Sequence, residues 1–302
     1  MASGWLDQIP SESLQTVLTS VRSLKHASSL APPGLSLPVN INPGDVLEVQ
    51  GPPASGKTYL VYHFLASCVL PVTLGGWGKA AILFDPDASF DIFRFKKILS
   101  SRLASRVGVE SLQEIVDHST CKLHVFHPSS TIDLAVGILD LPHYHTGCLP
   151  DSEIGMIAVD SLSAFYWSDR FSAENARSRN SRVAFTSPLQ QVMMALEAFR
   201  LTHGASIILS TWSLFSHKNP DTMPPIQHAS FITAATGSPA SLTHLIKLSV
   251  HDLLEYGVND SALELDCFEL LSNQDLCGDI YTSDDRVSST PFKLSIIRES
   301  IS

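Results

Sequence analysis

Basic residues are scarce: 20 Lys and Arg stand against 30 Asp and Glu in 302 residues, a formal net charge of −10. A surface of that sign repels nucleic acid on average. Any DNA contact must be local, made by a patch or shared with a partner. Cysteine is sparse as well. Cys68, Cys121, Cys148, Cys267 and Cys277 are scattered, odd in number and never paired as Cys-x-x-Cys. That excludes a disulfide scaffold and fits a reduced intracellular protein. The N-terminus has no basic stretch leading into an apolar run, so no secretory signal is expected. No apolar stretch approaches the roughly 20 residues that span a bilayer, so no membrane partner is expected. No run of five Lys or Arg occurs, and neither does a guanine-reading Asn-Lys-x-Asp or an Arg-rich lid pattern. What remains is ordinary globular composition, 44% hydrophobic and 17% charged, on a chain long enough for a substantial core.

Leu14, Val17, Leu18, Val21 and Leu24 recur at helical spacing, which predicts an amphipathic helix over residues 11–25. A turn-rich linker with Pro32, Pro33, Gly34 and Pro38 follows. This divides the chain into an N-terminal helix and linker, residues 1–40, and a main domain, residues 41–302. From Val46 strands and helices alternate. Strands are expected at 46–49, 80–84, 122–126, 154–159 and 206–209, and helices at 57–70, 91–107, 131–141 and 188–202. Such alternation implies an α/β fold with a mostly parallel sheet covered on both faces. Strand patterns at 244–250, 262–271 and 292–297, with few helices between, predict antiparallel additions at a sheet edge. The polar stretches 168–182 and 216–241 read as long loops.

Gly51-Pro52-Pro53-Ala54-Ser55-Gly56-Lys57-Thr58 matches Gly-x4-Gly-Lys-Ser/Thr completely. The glycines let the backbone curl around phosphate, and the amide groups and helix start supply positive potential. Lys57 reaches the terminal phosphates of ATP or GTP, and the Thr58 hydroxyl is suited to Mg²⁺. An apolar strand before the motif and a helix pattern after it supply the required context. The strand Ile157-Ala158-Val159 ends in Asp160, the acid expected on the Mg²⁺ side. Asp85-Pro86-Asp87 follows the strand expected at 80–84, the next one after the phosphate loop. Two readings stand for it: a carboxylate that orients water, and ordinary turn chemistry.

The run from Asp160 to Arg170, DSLSAFYWSDR, is the most distinctive in the chain. With GDVLEVQGPPASGKT and ILFDPDASFDIFRF, it resembles the RecA-like recombinase paralogues over roughly residues 44–215, in the same order and spacing. The resemblance implies a RecA-like P-loop ATPase core acting in homologous recombination repair of DNA. It implies a nuclear hetero-oligomer with sister paralogues that assists the strand-exchange recombinase. By motif, Gly51 to Thr58 and Asp160 are the ATP and Mg²⁺ contacts it implies.

Departures from the family pattern temper that activity. Active members place a catalytic Glu where Asp87 stands, one methylene shorter. Their DNA-sensing strand usually ends in a polar residue, often Gln, where this chain has Ser210-Thr211-Trp212-Ser213. Of the 50 residues before Gly51 none is Phe, so polymerisation through a Phe-bearing linker is not expected. Weak or absent hydrolysis is therefore the expectation, with a self-sufficient DNA-stimulated ATPase as the alternative. Arg170, Arg177, Arg179 and Arg182 fall where the first DNA-facing loop of the family lies, and read either as phosphate contacts or as a solvated loop with Asp169 and Glu174. Only Lys218 is basic in 216–241. His143, His145 and Cys148 form a possible metal half-site, for which a polar loop is the better reading.

Overall fold

The structure is a computed structural model that describes residues 42–179, 187–213, 230–236, 241–249, 276–282 and 289–294. The predicted N-terminal helix, Arg182 and the strand expected at 262–271 lie outside the described residues. An Asn-Pro-Gly-Asp turn, closed by the Asp45 amide donating to the Asn42 carbonyl at 3.1 Å, starts the first strand. In chain order the elements are β1 (Val46–Gly51), α1 (Lys57–Val69), β2 (Ala80–Phe84), α2 (Ile92–Leu103), α3 (Val109–Thr120), β3 (Leu123–Phe126), α4 (Thr131–Cys148) and β4 (Ile154–Val159). Then come α5 (Tyr166–Arg179), α6 (Pro188–His203), β5 (Ser206–Trp212), α7 (Phe231–Thr236), β6 (His244–Ser249), β7 (Leu276–Thr282) and β8 (Ser289–Leu294).

The strands form one sheet in the order β3-β2-β4-β5-β1-β6-β7-β8. The five pairings that join β3 through β6 in that order are parallel, whereas β7 and β8 add antiparallel. This is the expected α/β architecture, RecA-like, with antiparallel strands near the C-terminus. The six parallel strands need cover on both faces, and two separate apolar cores provide it. Leu60, Phe64, Phe95 and Leu99 of α1 and α2 pack with Leu47 and Val49 on one face. Leu134 and Ile138 of α4, and Val192 and Leu196 of α6, pack with Val46, Ile157 and Leu209 on the other.

Several boundaries differ from the sequence expectation, each for a local reason. β5 runs on from Leu209 to Trp212, because parallel pairing with β1 continues through Gly51 opposite Trp212. The helix ending expected at Leu141 continues through Pro142 to Cys148. Its last turns are held by tertiary bonds that offset the missing amide: Tyr144 Oη to His124 Nδ1 at 2.9 Å, and His145 Nε2 to the Ser152 carbonyl at 2.8 Å. The region 168–182, read as a loop, is helical as α5 through Arg179. The helix α3, the strand β7, and α7 within the second polar stretch have no counterpart in the sequence expectation. Thr120 and the other polar ends of α3 hid its narrow apolar stripe, of which Val116 is the fully buried member.

Between α1 and α2 the Arg102 guanidinium is buried with no carboxylate partner among the described residues. It donates to Ser67 Oγ and to the His63 carbonyl, both at 2.8 Å, and contacts His63 Nδ1 at 2.8 Å. Burial and this cation push the His63 imidazole down to about 3. In the folded state His63 stays neutral where the unfolded chain binds a proton, so stability rises with pH across that interval. It should be present above about pH 6.5 and be lost as pH falls toward 3, at up to about 1.4 kcal/mol per pH unit. Denaturant unfolding of the wild type and His63→Asn between pH 7 and 4 should show a shallower loss in the variant. An equal slope in both would remove His63 from the account.

Candidate nucleotide site

The carboxyl ends of β1, β2, β4 and β5 converge, as ligand sites of open parallel sheets do. β1 delivers the phosphate loop. Gly56 takes φ +86°, in the left-handed region that glycine allows, and starts α1 directly at Lys57. A Cβ on Gly51 would lie 2.4 Å from Ser55 Oγ and 3.1 Å from Leu248 Cβ of β6. The loop therefore sits tight against the sheet. Lys57 Nζ donates back to the carbonyls of Gly51 at 2.9 Å and Pro52 at 2.7 Å. Burial lowers its pKa, and the nearby Asp160 carboxylate opposes that shift.

Asp160, at the end of β4, is almost fully buried. Ser210 Oγ of β5 donates to its Oδ1. Burial raises its pKa, hydrogen bonds from Ser210 and Thr58 lower it, Asp85 raises it and Lys57 lowers it. The Thr58 hydroxyl and the Asp160 carboxylate thus adjoin, as a Mg²⁺ pair must. The next peptide, Asp160–Ser161, is cis. Beyond it Ser163 Oγ accepts from the Trp212 amide at 3.0 Å, and the Leu162 amide donates to the Ser210 carbonyl at 2.9 Å. These bonds zip the ends of β4 and β5 together.

Geometry separates the two acids of Asp85-Pro86-Asp87. Asp85 is buried and accepts from the Ser89 amide at 3.1 Å and the Phe90 amide at 2.8 Å. It builds the turn. Asp87 is exposed enough to act on a ligand and accepts from the Ser161 backbone amide. Burial first, then the charges of Asp160 and Asp85, raise its pKa. A raised carboxyl is the better proton acceptor, and it sits beside the Mg²⁺-side acid.

The residues present suit a nucleoside triphosphate with Mg²⁺. The clearest sign is Ser55 Oγ, a buried hydroxyl of the phosphate loop that has no hydrogen-bond partner among the described residues. An unpaired buried hydroxyl is costly, and a phosphate oxygen is the acceptor such a loop is shaped for. Lys57, Thr58 and Asp160 complete the donor and acid set, and Pro52, Pro53 and Ala54 form the outer curve of the loop.

The described arginines of the cluster share one helix. Arg170 lies on α5, pairs with Glu174 at 3.0 Å and stacks over the Trp167 ring at 5.7 Å. Arg177 and Arg179 fall on the same helix, not on the loop expected there. His143, His145 and Cys148 belong to the last turns of α4, which corrects their placement in a loop. Among the described residues no group of three His, Cys, Asp or Glu could hold a metal ion, and no helix is long and apolar enough to cross a membrane.

Sequence reasoning missed Glu48 in the middle of β1. Its carboxylate is fully buried and accepts from Thr211 Oγ1 at 2.8 Å, from the Phe231 amide at 3.0 Å and from Ser230 Oγ. Burial raises its pKa against those bonds. A lone acid among the apolar Val46, Leu47 and Val49, three residues before the loop, was the available signal.

No protein-family model matches the chain. The chain is similar to DNA repair protein XRCC2 of Mus musculus, 30% identical over 171 residues, 57% of each chain. It is also similar to a DNA repair protein XRCC2 homolog of Arabidopsis thaliana, 24% identical over 257 residues, 72% of this chain and 66% of that protein. The match spans under two thirds of the length of both relatives. The likeness to recombinase paralogues read from the sequence is borne out by these two.

Removing the Ser55 hydroxyl separates binding from stability. Ser55→Ala should leave unfolding stability unchanged or raise it by up to about 1 kcal/mol, and should weaken nucleotide binding at least fivefold in a titration with a fluorescent ATP analogue. A loss of stability with unchanged affinity would mean that the hydroxyl serves the fold.

Proposed function

We propose that this chain is an ATP-binding recombinase paralogue that acts in homologous recombination repair of DNA. It works in the nucleus, as a subunit of a complex with sister paralogues that assists the strand-exchange recombinase. Its intrinsic hydrolysis is weak or absent. The observation that carries the reading is the phosphate loop with its unpaired Ser55 hydroxyl, backed by Thr58 against Asp160, in a chain whose relatives are DNA repair proteins.

Bound Mg·ATP would place a divalent charge among acids whose pKa values are otherwise raised. The chain supplies the rest. The amides of residues 51–58 and Lys57 hold phosphate, Thr58 and Asp160 hold the cation, and Ser210 fixes the Asp160 carboxylate. Asp87 is the residue on which hydrolysis turns. It is short for its task, and the Ser161 amide already engages it. The acidic surface supports DNA contact through the complex, with Arg170, Arg177, Arg179 and Arg182 the basic residues available to it.

The raised pKa of Asp87 favours a second reading, a self-sufficient DNA-stimulated ATPase in which Asp87 accepts the proton of the attacking water. One assay separates the two. Steady-state ATP hydrolysis is measured with and without single-stranded DNA, with Lys57→Ala as background. The paralogue reading expects turnover within about twofold of that background, while the wild type binds the nucleotide analogue at least tenfold more tightly than Lys57→Ala. DNA-stimulated turnover that Asp87→Asn abolishes would establish the second reading instead.

A further inference from the structure

Burying a carboxylate at the centre of a sheet is costly unless its bonds return the loss. Glu48 lies between β5 and β6, where a Leu or Val would match its neighbours Val46, Leu47 and Val49. What an aliphatic residue could not do is hold two separate stretches of chain. Oε1 accepts from Thr211 Oγ1 in the last turn of pairing of β5, and from the Phe231 amide at the start of α7. Oε2 accepts from Ser230 Oγ. Phe231 is fully buried, and its ring meets that of Tyr166 at 5.4 Å and 67°. Tyr166 opens α5, touches Trp167 at 5.1 Å, and its hydroxyl accepts from Arg170 at 3.4 Å.

The other end of this chain of contacts is the phosphate loop. β1 passes from Glu48 into Gly51, and the Gly51 carbonyl accepts from both Lys57 Nζ and the Ser213 amide just past β5. Thr211 therefore sits between two anchors, Glu48 beneath it and the Gly51 loop beside it. We propose that Glu48 is a positioning residue that couples the phosphate loop to α5, by clamping the end of β5 and the start of α7 so that Phe231 buttresses Tyr166. This rests on the nucleotide-binding reading above. Its consequence is that nucleotide in the loop orders the exposed aromatic and basic face of α5, where Trp167 is 55% and Phe171 67% exposed.

The geometry specifies which substitution preserves the clamp. In Glu48→Gln the amide oxygen keeps the bonds from Thr211 and Phe231, and the Ser230 hydroxyl turns to accept from the new NH2. Glu48→Ala leaves all three donors unpaired. The test measures amide hydrogen exchange of the full-length chain over residues 164–173, with and without a non-hydrolysable Mg·ATP analogue, beside a separate titration with fluorescent analogue. Wild type and Glu48→Gln should show exchange slowed at least threefold by the nucleotide. Glu48→Ala should lose that slowing while its affinity stays within about threefold of wild type. Phe231→Leu, which removes the ring and leaves no unpaired donor, should lose it too, and it stands in if Glu48→Ala does not fold. A wild type that binds the analogue but shows no slowing overturns the coupling alone. So does slowing that survives in Phe231→Leu, or a Glu48→Gln as defective as Phe231→Leu. A wild type that fails to bind in the titration overturns the nucleotide reading, and the coupling with it.

Discussion

The attraction between Lys57 and Asp160 across the crevice is the constraint that organises this molecule. An ammonium and a carboxylate in a half-dry site interact far more strongly than in water, and each pays for desolvation that the other partly returns. Asp160 follows β4 directly and Lys57 follows the loop that ends β1, so the sheet must bring β1 and β4 to the same level with β5 between them. The parallel register does so, with Val49 level with Ser210 and Val159 with Leu209. Ser210 then occupies the gap and fixes the Asp160 carboxylate from the side. Asp85 lies near enough to raise the pKa of Asp160, and Asp160 and Asp85 together raise that of Asp87.

A second theme is how polar side chains on buried strands are used. Glu48, Gln50, Ser206, Ser210 and Thr211 are all buried on the central strands. Ser206 Oγ accepts from the Gly44 amide at 2.9 Å and ties the entry turn to β5. Such groups cost stability unless every donor and acceptor is matched, so they define the register of β1 against β5 as firmly as the apolar contacts do. The same logic explains why Ser161 and Ser163 follow Asp160. Their hydroxyls meet each other at 2.8 Å, and Ser163 receives the Trp212 amide that would otherwise end β5 unpaired.

Much of this was legible in the sequence. The strand 154–159 has the predicted limits because Ile154 to Val159 is a closed apolar run bounded by polar residues, and the phosphate loop follows from residue type and spacing alone. Three features were hidden for physical reasons. Ser210 and Thr211 look like the end of a strand, and only pairing with Val49 and Gln50 keeps them in it. α5 carries little apolar content apart from Tyr166, Trp167 and Phe171, so its pattern reads as loop. Its first turn is held by tertiary contacts, Tyr166 on Phe231 and Thr131 Oγ1 donating to Asp169 at 2.5 Å. Asp85 and Asp87 are chemically alike in sequence. Only the amides that meet Asp85 assign it to the turn, and they leave Asp87 exposed beside Asp160.

The strand order bears on how the chain is made. β1 is the first described strand to leave the ribosome, yet it pairs with neither of the next three. Its partners are β5, where Val46 faces Ile207, and β6, where Leu47 faces His244. At about 5–20 residues per second, the strand bearing the phosphate loop waits on the order of ten seconds or more for the first of them. Its apolar edges, Val46, Leu47 and Val49, stay open through that interval. Long-range parallel pairing of this kind is slow and exposed to misassociation. The nascent chain is thus most vulnerable before Ser206–Trp212 emerges, and a chaperone or an early-binding subunit would act in that window of synthesis.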